Sequence, residues 1–297
     1  MTTTHIAPLG NRSLLRLQGA DCKEFLQNLV SNDLNLLSPG QVIYAALLTP
    51  QGKFLHDFFI VQWQDAVYLD CLTERASDLI RRLTMYKLRA DVTIEDVSSD
   101  HQLSAIWGDA PDNFPTAIGM AQAGTDYILY ADPRLDHLGY RCIETKDSKF
   151  LSNLSGTASH PLTDYTAHRL SLGVPEGGTD LIPEKNFLLE GNMEELNCVS
   201  FSKGCYVGQE LTARTKYRAK IKKRLFRFTY EGDIAIGDSI TLEDTEIATV
   251  VAFQAPYGLA FTRLKDWHNM EGTAAALSPK GLVLYKPDYV KLPEDAQ

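Results

Sequence analysis

Apolar side chains first recur at helical spacing between Ala20 and Val30, where Phe25, Leu26, Leu29 and Val30 share one face and Asp21 suits the helix start. Two β-rich runs follow, Val42 to Thr49 and Phe54 to Trp63. Pro50-Gln51-Gly52-Lys53 between them carries both residues that punctuate a hairpin. Ala66 to Leu72 predicts a third strand. From Glu74 to Leu88 the period is helical again, with Leu79, Leu83, Met85 and Tyr86 on the stripe, and Ala90 to Val97 returns to strand. Hairpin-paired strands interrupted by helices predict an α+β arrangement.

Further strands are predicted over Gln102 to Trp107, Asp126 to Ala131 and Gly139 to Thr145, enough for a second α/β lobe. Ser152 to His160 is rich in Ser, Gly and Thr and reads as an internal linker. Thr163 to Leu172 predicts a helix ending at Gly173, and Pro175 to Pro183 a loop around Gly177-Gly178. From Leu225 to Leu284 the pattern is short strands only, with turn signals such as Gly232-Asp233 and Pro256-Tyr257-Gly258. That predicts a small antiparallel β-barrel. The expected division is residues 1-222, holding two α/β lobes, and residues 223-297, holding the barrel.

Composition narrows the chemistry. The chain has 297 residues, so several packed units and a large core are available. Its net charge of -9 argues against coating nucleic acid or an anionic membrane. Five cysteines, at 22, 71, 142, 198 and 205, include no C-x-x-C pair, which points to reduced thiols instead of a zinc site or a disulfide scaffold. No run approaches a membrane-spanning length. Met1 to Arg16 has neither a hydrophobic targeting core nor an Arg-rich composition, so the expected location is cytoplasmic, with a mature mitochondrial form as the alternative.

The densest chemistry lies in Lys203-Gly204-Cys205-Tyr206-Val207-Gly208-Gln209-Glu210. A helix is predicted to begin near Gly208. A thiol just ahead of a helix N-terminus and two residues from a lysine has its thiolate favoured. Cys22, Cys71 and Cys142 fall within helix or strand patterns and read as small buried apolar groups, and Cys198 as incidental.

This octapeptide resembles the K-G-C-[FY]-x-G-Q-E signature of the YgfZ-type folate-binding proteins, a sister group of the glycine-cleavage T-protein aminomethyltransferases. Leu17 to Asp21, Phe25 to Leu34, Leu48 to Phe59, Asn186-Phe187, Glu190 to Met193 and Val199 to Phe201 resemble other parts of the same family. The resemblance implies two α/β lobes and a C-terminal barrel around a central cavity for a pterin, with tetrahydrofolate or a derivative as cofactor. It also implies an accessory role in assembly or repair of iron–sulfur clusters, with client or assembly proteins as partners and tRNA-modifying enzymes among the clients. Cys205 would act as thiolate with Lys203 as its electrostatic partner. Asp57, Arg169, Glu190, Asn192, Tyr206, Gln209 and Arg214 would line the folate site.

Two positions depart from the transferase pattern. His56 stands where the T-proteins carry an acidic neighbour of the position of Asp57, and Ser171 where they hold the pterin with Glu. Both weaken the alternative of a folate-dependent aminomethyltransferase or demethylase. Cys198 and Ala219 depart from the YgfZ pattern itself, which usually has Gly at both places. The basic run from Arg214 to Arg227 puts Lys216, Arg218, Lys220 and Lys222 at strand period. It reads either as a solvated edge or as a patch for a folate glutamate tail. An RNA-binding module is the third alternative, and with only Tyr217 and Phe226 available for stacking, direct nucleic-acid binding is not expected.

Overall fold

A computed structural model of the chain describes residues 3–218, 221–270 and 277–292. Three sheets organise it. The first has five antiparallel strands in the order Ile43–Leu48, Phe54–Trp63, Ala66–Leu72, Arg12–Gln18 and Thr93–Asp96. Alternate residues of these strands face opposite cores. Phe58, Ile60, Leu69 and Leu15 pack with Phe25 and Leu26 of the helix Cys22–Gln27 and with Leu79 and Leu83 of the helix Thr73–Lys87. Tyr44, Phe59, Val61 and Leu14 face the molecular centre. Both faces are therefore covered, and the strand sequences read as continuous apolar runs.

The second sheet runs in the order Thr157–Ser159, Thr4–Pro8, His101–Gly108, Tyr140–Thr145, Tyr127–Ala131 and Ala121–Ala123. The third is a nearly closed antiparallel sheet of six strands, Leu277–Ser278, Ser239–Leu242, Thr245–Gln254, Tyr257–Arg263, Lys223–Thr229 and Val283–Tyr285. Two α/β lobes and a small terminal barrel are thus present as expected. One apolar cluster joins all three sheets: Tyr44 and Phe59 from the first, Ile128 and Ile143 from the second, and Leu225 and Phe261 from the third. The helix Leu162–Ser171 adds Tyr165 and Leu170 to it.

Four expectations need correction. Ser152 to His160 is not a linker, because Thr157–Ser159 pairs in parallel with Thr4 to Ile6 at a sheet edge. Small polar residues suffice where edge pairing satisfies the backbone and little side-chain burial is required. The barrel region is not strands alone, since the helix Leu264–Met270 follows Tyr257–Arg263. Met85 and Tyr86 are exposed, unlike Leu79 and Leu83 on the same helix. Lys216 lies in the helix Gln209–Tyr217, so no strand alternation starts there, and Lys220 falls outside the described residues. Among the described residues no helix is long and apolar enough to cross a membrane.

Candidate functional site

Cys205 is exposed, while Cys22, Cys71, Cys142 and Cys198 are buried. Its loop is held at both ends. On the upstream side, Asn197 to Lys203 is stitched to the turn that follows the helix Cys22–Gln27. Ser31 donates its hydroxyl to the Cys198 carbonyl at 2.6 Å, the Ser200 amide donates to the Ser31 carbonyl at 3.0 Å, and the Asn32 amide group donates to the Asn197 carbonyl at 2.8 Å. Lys203 completes the seam. Its Nζ donates to the carbonyls of Gln27, Val30 and Asn32 at 2.7, 2.7 and 2.8 Å.

On the downstream side Gly208 adopts φ 83° as the residue before the helix Gln209–Tyr217. A Cβ on Gly208 would lie 2.6 Å from the Thr49 carbonyl oxygen, and one on Gly52 would lie 3.0 Å from the Leu211 Cβ. The hairpin turn and the helix start therefore interlock, glycine against glycine, and the positive φ adds a second reason for Gly at 208. Between the clamps Tyr206 is buried and Val207 packs on the Phe25/Leu26 core. A Cβ on Gly204 would meet nothing within 4 Å. The thiol is displayed on a short span fixed at both ends.

This geometry revises the expected role of Lys203. An ammonium has three N–H groups, and here carbonyls take all three. Burial lowers the Lys203 pKa to about 8, with Asp33 opposing. Its Nζ also stands 5.1 Å over the Tyr206 ring. Burial pushes the Tyr206 hydroxyl up to about 12. Gln209 is half-buried in the first helical turn and Arg214 is exposed.

The remaining expected folate residues lie elsewhere. Asn192 is fully buried, donating to the Leu225 carbonyl at 2.8 Å and accepting from Arg224 Nε at 2.7 Å. Glu190 accepts from the Phe187 amide at 3.0 Å and stands 3.9 Å from Lys223. With Lys216 paired to Glu194 and Arg224 to Glu195, three carboxylates answer three cations of the basic run. Arg227 donates to the Ser171 carbonyl at 3.0 Å. Arg169 is buried against Asp180 at 2.6 Å.

Asp57 sits in the centre, accepting a hydrogen bond from the Tyr44 hydroxyl. Burial, opposed by Arg12, raises its pKa. Around it Arg12 and Arg141 pair with Asp70 at 2.7 and 2.6 Å, and Arg12 reaches Glu176 at 3.1 Å. Burial works against the Asp70 carboxylate, but Arg12 and Arg141 hold its pKa below the ordinary value. The guanidiniums of Arg141, Arg134 and Arg12 stand 4.1, 4.9 and 5.6 Å from the centre of the Phe59 ring. A Cβ on Gly177 would fall 2.0 Å from the Asp57 carboxylate. The space lined by Phe54, His56, Asp57 and Gly177 is about 10 Å³. That is room for about one water, where a drug-sized ligand needs several hundred Å³. A pterin does not fit at Asp57. The two transferase departures are also engaged: His56 bonds Asp78 at 2.9 Å, and Ser171 donates to the His168 carbonyl at 2.7 Å.

A larger cleft, about 620 Å³, adjoins the cysteine loop. Asn32, Leu36, Glu194, Ser202, Phe201 and Tyr217 are on its walls. Phe201 and Tyr217 meet edge-on at 6.0 Å, and Lys216 Nζ lies 4.0 Å over Phe201. Ser31, Asn32 and Gly52 are site residues that sequence reasoning did not single out. The available signal was a polar Ser31-Asn32 pair directly after an apolar helix face. Among the described residues no group of three or more His, Cys, Asp or Glu could hold a metal ion.

Comparison with known proteins gives a consistent picture. Residues 11–123 match the model of the GCVT N-terminal domain. The chain is similar to the mitochondrial iron–sulfur cluster assembly factor IBA57 of Homo sapiens, 37% identical over 235 residues, 73% of this chain and 64% of that protein. The Mus musculus protein is 34% identical over 76% of this chain and 66% of its own length. A homologue from Mycosarcoma maydis is 31% identical over 77% and 58% respectively. The chain thus spans somewhat under two thirds of the human relative. In fold it is similar to the glycine cleavage aminomethyltransferase T of Bartonella henselae, with TM-score 0.78 and 16% identity over 97% of this chain and 86% of the other. These relatives overturn the cytoplasmic expectation, because all three IBA57 proteins are mitochondrial. A short N-terminal composition argument carries less weight than similarity across most of the chain.

Proposed function

From the premise that this chain belongs to the YgfZ-type, T-protein-like family with a GCVT domain, we propose that it is an assembly or repair factor for iron–sulfur clusters that works through Cys205. The carrying observation is the single exposed thiol among five cysteines, displayed on a loop fixed at both ends. A thiolate is the soft ligand that iron–sulfur cargo takes, and one thiolate is too few to hold a cluster alone. The remaining ligands therefore come from a client or carrier protein that docks over Cys205. The adjoining cleft, with Leu36 and Tyr217 exposed on its walls, offers that partner a foothold. In this reading residues 1-222 carry the site and residues 223-297 brace it, with Asn192 as a link between them through Leu225 and Arg224. The clients include the tRNA-modifying enzymes that the family resemblance implies.

No step is routed through tetrahydrofolate, because the space at Asp57 does not admit a pterin. The transferase alternative has less support, since His56 and Ser171 are both engaged within the fold. The decisive experiment replaces Cys205 by Ser in cells lacking the native protein. Stability should change by less than about 0.5 kcal/mol, as for an exposed substitution. Cluster-dependent enzyme activities should fall to the level of the deletion. Normal activities with C205S would end the proposal.

A further inference from the structure

Lys203 reads from the motif as a charge placed to activate the thiol, but its ammonium is bonded to main-chain carbonyls. All three N–H groups converge on carbonyls of one short stretch, Gln27, Val30 and Asn32. Gln27 is the last residue of the helix Cys22–Gln27, where carbonyls lack helical partners and carry the negative end of the helix dipole. The side chain is buried, and its own amide is tied to the Ser200 hydroxyl at 3.2 Å. Two residues later Cys205 is exposed.

We propose that Lys203 is the positioning residue of the thiol: its ammonium anchors the start of the cysteine loop to the carbonyl end of the first helix, and its charge is consumed there. The residue type follows from the geometry. A compact ammonium directs three donors to three oxygens around one point, whereas a guanidinium is a planar fork suited to a carboxylate. Arginine keeps the charge and cannot reproduce the tripod. Serine and asparagine at 31 and 32 make the neighbouring stitches, so the anchor closes a seam that is already in register. The inference rests on Cys205 being the working thiol, but its test needs no cluster, client or folate.

The experiment compares K203M and K203R with the parent full-length protein. Amide hydrogen exchange is followed at Lys203 to Val207, with the helix Thr73–Lys87 as the control for global opening. Cys205 alkylation is measured with iodoacetate and with iodoacetamide, one anionic and one neutral, at a single pH. Losing bonds from a charged donor should raise loop exchange about tenfold or more in both variants while the control helix stays protected. The iodoacetate-to-iodoacetamide rate ratio should stay within about twofold of the parent in K203M, because the negative ends of three carbonyls are set against the ammonium. If instead the ratio falls several-fold in K203M, or K203R exchanges like the parent, Lys203 acts by its charge and the proposal is wrong. Should K203M fail to fold, K203R alone decides, since it retains the charge and lacks only the tripod. Loss of cluster-dependent activity in C205S with unchanged loop exchange in K203R would overturn the anchor and leave the function standing.

Discussion

Around Asp57, polar groups are packed into the place where three sheets meet; around Cys205, a reactive group is held in water. The centre neutralises its charges in pairs. Asp70 takes Arg12 and Arg141, Arg134 takes Asp132, and Arg169 takes Asp180. A buried charge without a partner is prohibitively costly, so such a region is closed by mutual need and leaves about 10 Å³ at Asp57. Among the described residues the thiol region has no ion pair at its tip. It is shaped by backbone carbonyls, one buried ammonium and two interlocked glycines. The contrast teaches that this chain spends its charges on architecture and uses hydrogen-bonded main chain to present its chemistry.

The largest expected effect strikes the centre. Asp70→Ala leaves two buried guanidiniums without their carboxylate and should cost about 3–5 kcal/mol, read by chemical denaturation. A loss below about 1 kcal/mol would mean that water reaches the centre and that it is not closed.

Next comes acid. Burial keeps His56 neutral in the folded chain, with a pKa of about 4 against an ordinary 6.5, although Asp78 opposes the shift. Its folded pKa is depressed, so the unfolded chain takes the proton first. Stability from this group is complete above about pH 6.5 and is lost as pH falls towards 4. Over that window the loss approaches about 3 kcal/mol. His56→Gln should remove that share of the acid sensitivity, seen as a flatter stability profile between pH 7 and 4. An identical profile would show that His56 titrates normally and the strand is more open than described.

A smaller effect tests the other region. Gly208→Ala forces a Cβ to within 2.6 Å of the Thr49 carbonyl oxygen at φ 83°. It should cost about 1–3 kcal/mol and speed alkylation of Cys205 as the clamp loosens. Unchanged alkylation would mean that Lys203 and the upstream seam hold the thiol unaided. The smallest effect expected is none. Tetrahydrofolate should leave hydrogen exchange of the strand Phe54–Trp63 unmoved, because the space at Asp57 does not admit a pterin. A clear shift would show that the centre opens to admit a pterin, and would erase the contrast between the two regions.

Much of the fold was legible. The strands Phe54–Trp63 and Ala66–Leu72 lie where the β-rich apolar runs placed them. The helix after Gly208 also agrees with the motif reading. What was not legible were partnerships over long separations. Lys203 looked like a neighbour of Cys205 because only Gly204 divides them, yet its acceptors lie more than 170 residues upstream. The basic run looked like an anion site because Glu190, Glu194 and Glu195 are distant in sequence. The Thr157–Ser159 edge looked like a linker for the same reason.

The sequence alone determined most of the elements, the barrel at the end and the motif that carries Cys205, because periodicity, turn residues and glycine placement act over a few residues. The tertiary structure decided that Asp57 is sealed, that Lys203 is an anchor, and that Ser31, Asn32 and Gly52 belong to the site. These depend on which groups meet when three sheets close on one core. A buried donor or charge must find its partner wherever the fold brings one, and nothing local in the chain encodes that choice.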